Sequence, residues 1–98
     1  MSFKVVWTTR AVKSHNSVCD FILKKWTMKE VAKFNDMTDA TILKIVQTPE
    51  MFVVADKNTN LRKGYITKHT SLLYKIKANE IVLLYFWANK RNPKKLKV

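Results

Sequence analysis

Glycine, cysteine, histidine and carboxylates are all scarce in this 98-residue chain, and each scarcity removes a class of function. Gly64 is the one glycine, so no glycine-rich loop can cradle a nucleotide's phosphates. Cys19 is the one cysteine, which rules out an internal disulfide framework. The histidines, His15 and His69, lie far apart in sequence, so neither a metal site nor a cofactor is expected. Only seven Asp and Glu residues are present, five of them before residue 51, too few and too segregated for paired-carboxylate catalysis. The longest apolar run, Ile81 to Trp87, spans seven residues, well short of the roughly 20 that a membrane helix needs. With one cysteine and no signal-peptide pattern, the expected location is cytoplasmic. One glycine and two prolines also argue against a loop-rich or disordered chain, and neither repeats nor low-complexity tracts occur.

What is abundant is positive charge. The net charge is +12, unevenly spread. Residues 1–50 carry 8 basic and 5 acidic residues, and residues 51–98 carry 11 and 2, balances of +3 and +9. Such a field attracts nucleic acid, an anionic membrane or an acidic protein partner. It does not read sequence, because phosphate contacts position without distinguishing bases. Apolar residues make up 47% of the chain, enough for one domain with one core.

The periodicity places the elements. Residues 3–7 read as a short strand of β-branched and aromatic residues. Helical spacing takes over at residues 9–26, where Val12, Cys19, Leu23 and Trp26 form an apolar stripe widened by Ala11, Val18 and Ile22. Ser14 falls outside that stripe, and His15 beside it reads as structural. Thr27-Met-Lys-Glu30 is a capping-box pattern, so a second helix follows at once. Val31, Phe34, Thr38, Ile42 and Ile45 form its inner face, and Pro49 stops it near Gln47. After a polar loop at residues 55–60 come three strands, at 61–67, 71–77 and 81–87. Gly64 marks a bulge or close approach in the first, and Ala78-Asn79-Glu80 turns the second into the third. The third strand is apolar on both faces, so it is expected to be central or covered twice. The order β-α-α-β-β-β predicts an α+β domain, a helical hairpin packed on a small antiparallel sheet. A hairpin covers one face only. Tyr85 and Trp87 then either fill a small core or lie on the other face, awaiting a partner.

The basic residues of the sheet half form the candidate site. Arg62 and Lys63 are adjacent on a strand, so they point to opposite faces and only one can join a common site. Lys68 and His69 occupy the turn between two strands, Lys75 lies on the second strand, and Lys90 and Arg91 follow the last one. Lys94 and Lys95 extend the cluster. Turn and strand end can converge at one edge of the sheet. There they would make either a solvated basic rim or a phosphate-binding patch. In metal-free RNA cleavage such cations stabilise the charge of the phosphorane. His69 is the residue type that exchanges protons near neutral pH.

The element order, the opening VVWTTRAV, the Pro49 stop, LRKGYI, SLLYKIKANEIVLLYFW and the closing NKRNPKK together resemble the RelE/ParE superfamily, small basic toxins of bacterial type II toxin–antitoxin modules. The resemblance covers nearly the whole chain. It implies a toxin that arrests growth and is neutralised by a cognate antitoxin wrapped around it. RelE-like members cut mRNA in the ribosomal A site; ParE-like members poison DNA gyrase and are not nucleases. Carried over position by position, Arg91 matches the arginine that follows the last strand in the nuclease branch. Lys68 or His69 matches a basic position in the preceding loop, and Arg62 or Lys63 one on the strand before it. Nuclease members often place a tyrosine or histidine shortly after that arginine; here Asn92 to Val98 contain neither. The long helical hairpin looks more like the ParE branch. A non-toxic nucleic-acid-binding module is the alternative from another class.

Overall fold

The computed structural model describes residues 3–89. Strand β1 (Lys4–Trp7) leads into α1 (Thr9–Lys25) and α2 (Met28–Gln47), followed by β2 (Val54–Asp56), β3 (Leu61–Thr67), β4 (Thr70–Lys77) and β5 (Glu80–Ala88). The strands form one sheet in the order β1-β5-β4-β3-β2. The α+β hairpin-on-sheet class predicted above is therefore observed, with two differences. The sheet has a further short strand, β2, where part of the segment was expected to be loop. Its three residues are all exposed, so it carries no alternation by which to recognise it. The sheet is also not wholly antiparallel: β1 runs parallel to β5, with Val5 beside Ile81 and Trp7 beside Leu83. The helical hairpin together with β2, β3 and β4 forms the long connection that this parallel pairing requires.

Both helices start on threonine caps. Thr8 Oγ1 accepts from the Ala11 N–H and donates to Leu83 O at 2.8 Å, so the same side chain ties α1 to β5. Thr27 and Glu30 form the capping box foreseen for α2. The inner face of α2 is the expected one, with Val31, Phe34, Thr38, Ile42 and Ile45 all buried. That of α1 is rotated from expectation. Ala11, Ser14 and Val18 are buried, while Val12, Leu23 and Trp26 are 44%, 44% and 57% exposed. Small residues let α1 sit close to the sheet, and Ser14 earns its burial by accepting the Phe86 N–H at 2.9 Å. That N–H faces the edge of β5 that β1 does not reach, and it would otherwise be orphaned.

One irregularity decides what the sheet shows to solvent. In β5, Leu83 pairs with Tyr74 and Tyr85 pairs with Leu73, which leaves Leu84 as a bulge. The strand's alternation therefore shifts. Ile81, Leu83 and Phe86 face the helices and are buried, and Val82, Tyr85 and Trp87 face the other way. Gly64 is the close-approach point: a Cβ there would meet the Phe52 ring at 2.6 Å. Tyr74, fully buried, donates to Pro49 O at 2.8 Å, fixing the end of the helical layer on the sheet.

Candidate target-binding face

The face of the sheet away from the helices is covered by no described element. Strand register arranges it in rows. Lys63, Leu73 and Tyr85 form one row, and Tyr65, Ser71 and Trp87 the next. Lys75 lies beside Val82 in the row on the other side. Tyr85 and Trp87 stack on each other, with centroids 5.9 Å apart and planes at 25°. The Arg10 guanidinium sits 4.5 Å above the Tyr85 ring. Lys63 Nζ lies 5.4 Å from the Tyr65 ring and 5.6 Å from that of Trp87. Cations over aromatic faces are held by the ring quadrupole. The result is a flat aromatic surface with fixed positive charge, suited to stacking planar groups and holding phosphates or carboxylates. The surface continues round the β5 edge into a groove of about 730 Å³ between α1 and β5, lined by Arg10, Lys13, Ser17, Phe21, Tyr85 and Trp87 among others.

The candidate residues fall into three groups. Lys63 and Lys75 belong to the open face. Arg62 does not, because its guanidinium donates to Phe52 O at 2.7 Å on the helix side, across from Tyr74. This is the division of Arg62 and Lys63 that strand alternation predicts. Lys68 and His69 are exposed in the β3–β4 turn. The His69 N–H bonds to Thr67 Oγ1 at 3.0 Å, and His69 O accepts from the Asn89 N–H at 2.6 Å. Asn89 also exchanges hydrogen bonds with the buried Ser71 hydroxyl. The turn and the end of β5 thus converge as expected. Lys90, Arg91, Lys94 and Lys95 lie outside the described residues.

Sequence reasoning missed Arg10 and Tyr65. Tyr65 had a signal, since it stands two residues after Lys63 on the same strand face. Arg10 had none: it reaches the face only because α1 begins beside β5. His15 is structural, as read. Its ring stacks on Phe34 at 5.0 Å and meets Phe86 and Trp7 edge-on. Burial holds its pKa below the usual histidine value, with Asp39 opposing. Burial raises the Cys19 pKa, with Asp20 adding to the effect, the opposite of what an activated nucleophile requires. Among the described residues, no three His, Cys, Asp or Glu side chains gather as a metal site. No described helix is long and apolar enough to cross a membrane.

No family model matches the sequence, and no curated protein matches it. Solved structures do share the fold. A chain from the chromosomal ParDE TA system of P. aeruginosa superposes with a TM-score of 0.74 at 14% identity, covering 88% of this chain and 95% of that one. A copper-bound mutant toxin from Helicobacter pylori gives a TM-score of 0.56 at 17% identity, covering 97% of this chain and 99% of that one. One neighbour is from a toxin–antitoxin system and the other is a toxin, in keeping with the RelE/ParE resemblance of the residues.

Proposed function

We propose that this chain is the growth-arresting toxin of a type II toxin–antitoxin pair, and that it acts by holding a macromolecular target on its open sheet face. The observation that carries the second part is the composition of that face. Tyr65, Tyr85 and Trp87 stand there with Arg10, Lys63 and Lys75, and among the described residues neither the Lys63–Leu73–Tyr85 row nor the Tyr65–Ser71–Trp87 row holds a carboxylate or imidazole; Glu80 lies at the far end of the same face, paired with Lys77. General acid–base chemistry needs a proton carrier within reach of the reacting atoms. Tight binding needs aromatic anchors and arginine, which this face supplies. DNA gyrase, the target implied by ParE-like resemblance, is the favoured target, and the cytoplasm is then the place of action.

The second reading is ribosome-dependent mRNA cleavage. It is supported by the link from Asn89 to His69, which holds the end of β5 beside a turn bearing Lys68 and His69. The neutralising antitoxin would be an acidic protein with apolar anchors, drawn in by the charge and held by the aromatic surface.

Induction in growing cells, with and without the neighbouring gene, tests the pairing: arrest that the neighbour relieves is expected. Purified gyrase given the protein should accumulate cleaved DNA complexes. Unaffected supercoiling, with mRNA cut at codon-defined positions in a translating extract, would move the conclusion to the nuclease reading. Growth without arrest would leave the non-toxic nucleic-acid-binding module.

A further inference from the structure

Strand β1 stops beside Leu83, but β5 runs on to Ala88. Past Leu83 the edge of β5 away from β4 is met by side chains of the α1 region instead of a strand. Thr8 Oγ1 donates to Leu83 O at 2.8 Å, and Ser14 Oγ accepts the Phe86 N–H at 2.9 Å. Strand alternation turns Phe86 O and both main-chain groups of Ala88 to the same edge as that N–H. Among the described residues, nothing accepts from the Ala88 N–H or donates to Phe86 O and Ala88 O. These groups open on the groove of about 730 Å³ between α1 and β5, whose lining includes Phe86 and Ala88. An unpaired strand edge is a template for another strand.

The chemistry of the groove selects its occupant. Arg10 and Lys13 line it and no carboxylate does, so its charge calls for an acid. A second copy of this chain brings a net charge of +12, and residues 90–98 hold five basic residues and no acid. Neither is the complement of such a wall. A nucleic acid has the charge but not the hydrogen bonds, since its phosphates only accept, and two of the three free groups of the edge are acceptors as well. A peptide backbone alternates donors with acceptors and matches the edge.

We propose that the groove between α1 and β5 is a docking slot for an extended acidic peptide segment of a partner protein, which adds a short strand to β5 at Phe86 and Ala88. Its main chain supplies the missing hydrogen bonds, and its side chains alternate between two walls. On one side they meet Val18 and Phe21 of α1, which take apolar groups. On the other they meet Arg10 where it lies over Tyr85, which takes a carboxylate. The recognised segment therefore alternates apolar and acidic residues. Ser14 marks the inner end of the slot, because its hydroxyl already holds the Phe86 N–H that a longer added strand would need. The slot is defined by this chain alone and stands apart from the toxin reading.

The test uses the purified full chain and a labelled peptide alternating valine with glutamate, followed by fluorescence anisotropy and by amide hydrogen exchange. Three further probes accompany it: the same peptide N-methylated at alternate residues, a valine–lysine counterpart, and an oligothymidylate of similar length. The valine–glutamate peptide is expected to bind saturably, to protect the Ala88 amide from exchange, and to weaken as salt rises. The N-methylated and lysine peptides should not bind. Ala88→Pro removes only an N–H that the fold leaves unpaired, so it should keep the melting temperature and weaken binding about fivefold. Arg10→Gln with Lys13→Gln should slow association and flatten its salt dependence. Equal binding by the N-methylated peptide would overturn the proposal without recourse to any variant. So would an Ala88 amide left unprotected by the valine–glutamate peptide, or one protected by the oligothymidylate in its place.

Discussion

The two faces of this sheet have nearly the same aromatic content and opposite fates. Toward the helices lie Tyr74 and Phe86, 0% and 1% exposed, with their neighbours Leu72, Ile81 and Leu83 equally buried. Toward solvent lie Tyr65, Tyr85 and Trp87, with nothing described above them but the heads of Arg10 and Lys63. On the first face an aromatic ring stabilises the fold by leaving water. On the second it waits for something else to exclude water from it. Residues next to each other in sequence are thus expected to fail differently when removed.

The sharpest break is between neighbours. Phe86→Ala should cost about 3–5 kcal/mol, a large part of the stability of a domain this small. Trp87→Ala, one residue on, should cost about 0.5–1.5 kcal/mol through the lost stack on Tyr85, yet abolish growth arrest while the protein stays folded. Denaturant unfolding alongside an induction assay measures both. Similar stability losses for the pair would erase the distinction between the faces.

Next in size is Gly64→Ala, where the added methyl would strike the Phe52 ring. Overpacking of this kind costs about 1–3 kcal/mol. Phe52→Leu in the same chain should recover part of the loss; simple additivity of the two would show that the clash is not the cause. Tyr74→Phe removes the hydrogen bond to Pro49 O and should cost about 0.5–1.5 kcal/mol, whereas Tyr85→Phe on the open face should stay within about 0.5 kcal/mol. The smallest effect belongs to His15. Its folded pKa lies below the unfolded value, so the unfolded chain binds protons more readily. Stability from this group is full above the unfolded pKa of 6.5 and falls as pH drops through the lower, folded one. Urea midpoints between pH 7.5 and pH 5 should show the decline, and His15→Gln should flatten it.

The helices and four of the five described strands were legible because their signals are local. The capping box at Thr27 and Glu30, Pro49 after Gln47, and the turn at Ala78 and Asn79 each act within a few residues. Three features were not legible, for one shared reason: each depends on a neighbour distant in sequence. The exposed edge strand β2 has no pattern because it buries nothing. The stripe on α1 was misread because large apolar residues outweigh small ones in any periodicity, while close approach to β5 selects Ala11 and Ser14. The bulge at Leu84 has no marker in IVLLYFW, yet it decides which way Tyr85 and Trp87 point. The candidate site inherits that limit. Lys63 was reachable from strand alternation and Arg10 was not.

The parallel pairing of β1 with β5 sets a schedule for the nascent chain. Lys4 has to wait for Glu80, so β5 joins β1 and β4 only after the helices and the other strands have been made. Contacts of such long sequence separation form slowly, because the intervening chain must be closed into a loop first. A ribosome making this protein therefore carries, for most of the synthesis, a helical hairpin without its sheet. The aromatic face comes into being near the end of translation, which leaves a partner translated just before it time to be waiting.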